Sequence, residues 1–307
     1  MKLKSTLLAL ACTIGLSAGS AIASEGVSSK TAPTKTVDVG GTPFVYRELG
    51  PKNGIPVVFL QHLGGSMDDW DPTVVDGIAK RHHVIVFDNK GVAGSGGATP
   101  TSMPEMGKDA VAFIHALGLR QVDLLGFSIG GFVAQSIAQT EPSLVHKLIL
   151  AGTGPAGYGD QVDADGKSRL GKVLQDAYGK AAAQKKNPRN FLFFTQTDAG
   201  QAAAGEYLAR LNERQVDRDK PVGQQTLQAQ QAAIAAWLKD EASASARITA
   251  PTFIVNGDHD AMVATSNSFE LLQRIPGATL SIYPDAGHGG IFQHHVLFVE
   301  QALKFLD

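Results

Sequence analysis

Short apolar runs separated by helical patterns are the feature of this chain that most restricts its fold. Four such runs, rich in Val, Ile, Leu and Phe, lie at residues 56–60, 84–87, 122–125 and 148–150. They show little alternation of apolar and polar residues, which is typical of parallel strands covered on both faces. Strands that alternate with helices form right-handed βαβ units. The chain is therefore predicted to form a doubly wound, mostly parallel α/β sheet.

The rhythm of strands and helices changes in the second half of the chain. Between about residues 155 and 250, Ala, Gln, Lys and Asp dominate, and a helix is predicted at 224–238. Strand patterns return at 252–255 and 279–283. Because the strands resume, a helical insertion between two strands of one sheet is favoured over a separate helical domain.

The N-terminus has the three parts of a secretory signal peptide. Lys2 and Lys4 precede an apolar stretch at 7–16, and Ala21-Ile22-Ala23 forms a cleavage site. Residues 1–23 are therefore predicted to be removed near Ala23 on export to the periplasm or the medium. A lipoprotein reading through Cys12 is the alternative, although its lipobox is poor. The polar residues 24–36 are expected to form a loose leader.

Composition limits the partners of the exported chain. Without residues 1–23, 284 residues remain, which suits one large α/β domain with an insertion. Cys12 is the only cysteine, so the exported chain has neither a disulfide framework nor a Cys-based metal site. Its 25 basic and 29 acidic residues argue against nucleic acid or an anionic membrane surface as a partner. No later stretch approaches the roughly 20 apolar residues of a membrane span.

A Gly-x-Ser-x-Gly motif, the signature of a catalytic serine in one large group of hydrolases, occurs twice. The copy at 15–19 lies in the predicted signal peptide, so its Ser17 would be lost. The copy at 126–130 follows a predicted strand and precedes a helical pattern, which places Ser128 at a sharp strand-to-helix turn. The N–H of Ile129 would then face whatever Ser128 attacks and could hold an oxyanion. The alternative is that the glycines only permit close packing and Ser128 is an N-cap.

A serine nucleophile needs a histidine as base and a carboxylate that orients the histidine. His288 lies in the loop PDAGHGG after the strand predicted at 279–283, and the loop NGDHD after strand 252–255 offers Asp258 and Asp260. Both loops leave the carboxyl ends of strands, where sites in open α/β sheets form. Other histidines begin or end regular elements, or fall on a final helix with a predicted buried stripe. That stripe comprises Val296, Val299, Leu303 and Leu306.

The stretches GFSIGG, FDNKGVAGSG, GDHD and DAGHGG resemble the α/β-hydrolase superfamily, and the similarity extends from about residue 44 to 307. The subgroup is similar to small esterases, haloperoxidase-like enzymes and proline iminopeptidase-like enzymes. The resemblance implies an α/β-hydrolase domain at 37–307 with a helical cap at about 155–245. It also implies a Ser128–Asp260–His288 triad, since the acid of this subgroup lies three residues after the glycine that ends its strand, here Gly257. No cofactor or metal is required.

The same resemblance locates a second oxyanion donor in the loop FLQHLGGS. Alignment through the preceding strand gives this role to the N–H of Leu63. Gln61-His62 replaces the His-Gly that is common in the family, so His62 is a candidate for substrate contact. The alternative is that His62 only shapes the loop. DNKGVAGSG also departs from the family pattern, at Lys90 and Ala93, but lies at the rim of the site.

The sequence therefore predicts a serine hydrolase that acts on a carboxylic ester or related small acyl substrate through a covalent acyl-enzyme. A C–C bond hydrolase, lactonase, aminopeptidase or perhydrolase could use the same triad. Phe191, Phe193 and Phe194 could form an apolar pocket wall or the core of the cap.

An oxidoreductase is a poorer match: GTGPAG at 152–157 has a dinucleotide-binding pattern, but Pro155 interrupts it and no strand with a ribose-binding acid follows. A non-catalytic binding protein with this fold would be expected to lack a member of the triad. All three candidates are present, which favours an enzyme.

Overall fold

A computed structural model describes residues 27–158 and 169–307, and the predicted signal peptide lies outside them. The described chain contains one sheet of eight strands in the order β1-β2-β4-β3-β5-β6-β7-β8. The strands are β1 Lys35–Val39, β2 Thr42–Leu49, β3 Val57–Leu60, β4 Val84–Phe87, β5 Val122–Phe127, β6 Val145–Ala151, β7 Thr252–Gly257 and β8 Thr279–Tyr283. β1 and β2 pair antiparallel at one edge, and β4, β3, β5, β6, β7 and β8 run parallel. The predicted α/β-hydrolase fold with a mostly parallel sheet is confirmed.

Helices cover both faces of this sheet. Those of the first half are α1 Pro72–Ala79, α2 Met103–Ala116 and α3 Ile129–Thr140. Between β6 and β7 lie α4 Arg169–Gln184, α5 Arg189–Leu192, α6 Asp198–Leu211, α7 Gln224–Trp237 and α8 Glu241–Ser245. The last helices are α9 Ser266–Arg274, α10 Gly290–Gln293 and α11 His295–Leu306. Within the two described ranges, every helix is too short or too polar to cross a membrane.

Burial on both faces of the sheet explains the uninterrupted apolar runs of the central strands. Leu124 and Leu125 are neighbours on β5 and both are fully buried, yet they belong to different core clusters. Leu125 packs in the cluster that contains Ile78 of α1, and Leu124 in the cluster that contains Ile137 of α3. Successive strand residues point to opposite faces, so a strand covered twice needs an apolar residue at every position.

The N-terminal segment differs from the expected loose leader at 24–36. Ala32 is fully buried. Ser29 donates to the carboxylate of Asp76 on α1 from its backbone N–H, at 2.7 Å, and from its hydroxyl, at 3.0 Å. β1 already begins at Lys35. The expectation of a loose leader is wrong from Ser28 onward, because these polar side chains bind α1 and the sheet edge rather than water.

The buried stripe predicted for the final helix is also partly wrong. The buried residues of α11 are Phe298, Ala302 and Leu306, whereas Val296 is 72% exposed. Apolar residues lie on several sides of this helix, so its sequence permits more than one stripe. Packing against α1 decides which side of α11 faces the core. The two helices are so close at Gly77 of α1 that a side chain there would collide with Val299.

Contacts between the helices inserted after β6 and the rest of the domain hold them over the carboxyl ends of the strands. The guanidinium of Arg210 on α6 donates twice to the buried Asp71 carboxylate, at 2.7 and 2.9 Å. The Gly289 N–H, in the loop after β8, donates to the Phe193 carbonyl at 2.8 Å. The loops after β3, β5, β7 and β8 therefore lie beneath α5 to α7.

Candidate active site

Ser128 occupies a strained turn between β5 and α3. Its φ of 57° and ψ of −120° are unusual for a residue other than glycine. The Ser128 N–H donates to the Ala151 carbonyl at 2.9 Å, and the Ser128 carbonyl accepts from the Thr153 hydroxyl at 2.9 Å. Such strain costs on the order of 1–3 kcal/mol and persists only where the surroundings enforce it. Here the bonds to the end of β6 and to the loop after it hold the turn in place.

Glycines around Ser128 allow backbone segments to approach each other closely. A Cβ at Gly126 would collide with the backbone of Gly130 and Gly131 at the start of α3. A Cβ at Gly130 would collide with the Leu60 carbonyl at the end of β3, and one at Gly131 would lie 2.6 Å from the Thr153 side chain. The glycines of the motif thus bring α3 against the ends of two strands.

Asp260 and His288 meet in a fully buried pair beside this turn. The His288 Nδ1–H donates to Asp260 Oδ2 at 2.8 Å, and neither side chain is exposed to solvent. Asp260 Oδ1 accepts from the backbone N–H groups of Met262 and Val263 at 2.8 and 2.9 Å. These bonds fix the carboxylate, and the carboxylate in turn fixes the imidazole. The remaining ring nitrogen of His288, Nε2, has no hydrogen-bond partner among the described residues.

Asp258, the alternative acid, lies at the surface of the same loop. Its side chain is 35% exposed and pairs with the exposed His259, whose Nδ1 is 2.6 Å from Asp258 Oδ1. The same oxygen accepts from the Ala286 N–H at 3.1 Å. Asp258 therefore braces the loops after β7 and β8, whereas Asp260 is the acid that contacts His288.

A cavity of about 340 Å³ brings the predicted site residues together. Ser128 and His288 line it, together with His62, Leu63 and Phe193. Phe193 is 3% exposed and packs edge-on against His288, so it serves both as cavity wall and as part of the apolar core cluster that contains Phe127 and Tyr207. The Ser128 hydroxyl is not bonded to His288 Nε2, and such bonds are often longer in proteins without substrate.

A second, narrower pocket meets the cavity at Ser128. Its lining is mostly apolar and comprises Leu63, Ser128, Phe132, Gly154, Leu170, Ile234, Leu238, Met262, Val263 and Asn267. The two spaces share Leu63, Ser128 and Met262; the narrow one is largely apolar, and the larger one also contains His62 and Arg189. This lining suits a small molecule with an apolar portion and a polar portion near the reacting atom.

Two backbone N–H groups near Ser128 have no hydrogen-bond acceptor among the described residues. Ile129 is the first residue of α3, so its N–H has no partner within the helix. In the loop after β3, the N–H of His62 donates to Gln61 Oε1 and the N–H of Gly64 donates to Gln230 Oε1, both at 2.8 Å. The Leu63 N–H between them has no acceptor among the described residues. Ile129 follows Ser128 in the chain, and Leu63 lines both spaces with it, so the oxyanion role of their N–H groups stays a prediction.

Two residues of the inserted helices belong to this site and were not predicted from the sequence. Gln230 of α7 holds the loop through the Gly64 N–H. Arg189 at the start of α5 lines the cavity and pairs with Asp69 at 2.6 Å. Both lie more than 100 residues from their partners along the chain, so no local motif could have revealed them. Among the residues described, no group of three His, Cys, Asp or Glu side chains could hold a metal ion.

Comparisons with known proteins agree with this architecture. Residues 55–295 match the model of the alpha/beta hydrolase fold family. The solved structure of an alpha/beta hydrolase fold protein from Chitinophaga pinensis superposes with a TM-score of 0.83 and 39% identity, covering 91% of this chain and 99% of that one. A protein of Variovorax paradoxus named carbamate hydrolase RutD is 28% identical over 86% of this chain and 96% of its own length. The structure of Est816, described as an N-acyl homoserine lactone degrading enzyme, gives a TM-score of 0.69 with 25% identity, over 88% of this chain and 100% of that one. The family match covers well over half of the sequence, and the chain belongs to the α/β-hydrolase fold family.

Proposed function

We propose that this hydrolase cleaves a carboxylic ester or related acyl substrate through a Ser128–His288–Asp260 triad. The observation that carries the proposal is the buried 2.8 Å bond from His288 Nδ1 to Asp260, which leaves Nε2 unpaired in the cavity that Ser128 lines. A histidine held in this tautomer can act as a general base. Ser128, at its strained turn, is the hydroxyl that such a base would activate.

The proposed reaction has two symmetrical halves. His288 Nε2 removes the Ser128 proton while Oγ attacks the acyl carbonyl, and the N–H groups of Leu63 and Ile129 bind the resulting oxyanion. His288 then protonates the leaving oxygen or nitrogen as its bond to the acyl carbon breaks, which leaves an acyl-enzyme. Water, deprotonated by His288, attacks this ester, and Ser128 regains its proton when the acid departs. Asp260 holds His288 and stabilises the transient imidazolium.

The substrate is proposed to be a small acyl compound with an apolar portion. This part of the proposal is supported by the mostly apolar pocket that meets the larger cavity at Ser128. The names of similar proteins refer to a carbamate and to a lactone, both of which contain an acyl carbon bonded to a heteroatom. A carboxylic ester fits the same chemistry, so a panel should contain simple esters, lactones and carbamates.

An organophosphonate probe is expected to label Ser128 and no other serine. Tandem mass spectrometry of the labelled protein identifies the modified residue, and the Ser128→Ala variant is the control. Ser95 and Ser66 also lie in loops at the carboxyl ends of strands, but the Ser95 hydroxyl is bonded to the Asp88 carbonyl and Ser66 caps a short 3₁₀ helix. A label on either residue, or a label that persists in Ser128→Ala, would refute the proposed nucleophile.

Export is a separate proposal, supported by the basic, apolar and Ala-x-Ala segments at residues 1–23. Protein isolated from its native host is expected to begin at Ser24, in the periplasm or the medium. N-terminal sequencing of the isolated protein tests this. A chain that retains Met1 would contradict export, and a lipid on Cys12 would show that the protein is instead a lipoprotein.

A further inference from the structure

His62, which lines the cavity that contains Ser128, has an unpaired ring nitrogen. Its side chain lines the cavity, and the residue is only 4% exposed. Nδ1 lies 2.8 Å from the Leu63 carbonyl oxygen, whereas Nε2 is buried without a hydrogen-bond partner among the described residues. A buried polar atom of this kind is unfavourable unless a ligand or a water molecule provides its partner.

The protonation state of His62 determines which partner Nε2 can take. A carbonyl oxygen only accepts hydrogen bonds, so Nδ1 must carry the ring proton and Nε2 must carry the lone pair. Burial of the ring is the main cause, and the positive charge of Arg189 the second, that lowers the pKa of His62 to about 4. The ring is therefore neutral near neutral pH, and Nε2 is an acceptor. It fits an N–H or O–H group and cannot donate to a carbonyl or carboxylate.

The ring of His62 is held in place by its neighbours. It packs edge-on against Phe127 and Phe193, with centroid separations of 5.6 and 5.2 Å. The same two phenylalanine rings contact His288 at 5.0 and 5.6 Å, so His62 and His288 flank one aromatic pair. A ring flip would break the bond from Nδ1 to Leu63. The ring of His62 is therefore held in place against the same two phenylalanine rings as the proposed catalytic histidine.

We propose that His62 is a specificity-determining residue whose Nε2 accepts a hydrogen bond from an N–H or O–H group next to the scissile acyl carbon of the substrate. The proposal rests on the proposed function and narrows it. It favours substrates such as α-acylamino esters or lactones over simple alkanoyl esters. The bond also explains why a polar ring occupies a site that is otherwise surrounded by aromatic side chains.

Three matched p-nitrophenyl esters test this proposal. The acyl groups are N-acetylglycyl, which has an N–H, 4-oxopentanoyl, which has CH₂ in place of that N–H, and N-acetylsarcosyl, which has N–CH₃. For each ester, kcat/KM is divided by its second-order rate constant with an added thiolate, which attacks the acyl carbon directly, so that intrinsic reactivity cancels. Hydroxide is unsuitable here because it cyclises the N–H ester to an oxazolone. The wild-type protein is expected to prefer the N–H ester over the other two by about tenfold or more, since each analogue leaves a buried acceptor unpaired.

Two variants assign this preference to His62. His62→Phe keeps an aromatic ring between Phe127 and Phe193 but offers no acceptor. The ratio of its normalised kcat/KM for the N–H ester to that for either analogue is therefore expected to fall to about one. His62→Gln offers an amide oxygen and is expected to retain part of the preference. Loss of the bond to Leu63 could disturb the oxyanion site in both variants, but that would slow all three esters equally. The ratio between esters is therefore the readout that a purely structural role would not change.

A binding measurement gives an answer even if His62→Phe does not fold. In ¹⁵N-histidine-labelled Ser128→Ala protein, saturating N-acetylglycine methyl ester is expected to move the His62 Nε2 resonance upfield, as a new hydrogen bond to that nitrogen requires. Equal normalised rates for the three wild-type esters, a preference that survives in His62→Phe, or an unmoved Nε2 resonance would overturn the role of His62. Failure of the proposed function is distinguishable, because then no ester would be hydrolysed and Ser128 would not be labelled.

Discussion

Replacement of Ser128 by alanine is expected to lower turnover of any accepted ester by about 10⁶-fold, the scale of loss when a serine protease loses its nucleophile. Oγ is the only heavy atom removed, and the other hydroxyl at this turn, that of Thr153, already donates to the Ser128 carbonyl at 2.9 Å. The N–H groups of Ile129 and Leu63 remain. The variant should therefore retain only the weak catalysis that substrate binding and oxyanion contacts provide.

The fold of Ser128→Ala should be preserved. The Ser128 side chain makes no capping hydrogen bond, and alanine adopts the same backbone angles at a similar energetic cost. The free energy of unfolding is expected to change by no more than about 1 kcal/mol, the typical effect of a mild substitution. Urea unfolding and ester turnover are measured on the same preparation.

Ser136→Ala is a matched control for Ser128→Ala. Ser136 is a buried serine on the same helix, and its side chain faces Gly107 of α2 rather than the cavity. Its replacement should leave turnover within a few-fold of wild type, about 1 kcal/mol at most. A folded Ser128→Ala protein with more than about one per cent of wild-type turnover would exclude the proposed nucleophile, since such a residue loses far more in related chemistry.

Local sequence patterns were sufficient to predict the central sheet and the strand-to-helix turn. Strands β4 and β8 match the predicted ranges, and the helix predicted at 224–238 is observed as α7 Gln224–Trp237. These segments are recognisable because burial on both faces requires continuous apolar residues. The antiparallel β1 and β2 were missed. β1 alternates between half-buried and exposed positions at the edge of the sheet and is rich in polar residues.

The parts of the site that depend on distant contacts could not be predicted from the sequence. Gln230 and Arg189 come from the inserted helices, where Ala, Gln and Lys give no motif. The residues alone also left Asp258 and Asp260 as equal candidates, and only the resemblance favoured Asp260. Both aspartates lie in one loop after one strand, so their roles depend on which carboxylate turns inward. That orientation is set by the N–H groups of Met262 and Val263.

Asp260→Asn is expected to lower turnover by about 10⁴-fold, the loss seen when the orienting aspartate of a serine protease is changed in this way. Asp260 Oδ1 accepts two backbone N–H groups, at 2.8 and 2.9 Å, and only the amide oxygen of asparagine can replace it there. The amide NH₂ must then face His288 Nδ1. Because NH₂ only donates, Nδ1 would have to accept, and the ring proton would move to Nε2. His288 could no longer take the proton of Ser128.

Asp258→Asn is the matched variant, two residues earlier in the same loop, and should cost about tenfold or less, on the order of 1.4 kcal/mol in the activation barrier. Its amide oxygen can still accept from the Ala286 N–H, and the pair with His259 that is weakened lies at the surface. Both variants are compared on one ester near neutral pH, with circular dichroism as the test of folding, because either carboxylate could brace the loop. A difference in turnover between two well-folded proteins then reports on what Asp260 does for His288, namely fixing its tautomer and stabilising its imidazolium form. If Asp258→Asn is nearly inactive while Asp260→Asn turns over normally, the buried bond between His288 and Asp260 has no part in catalysis.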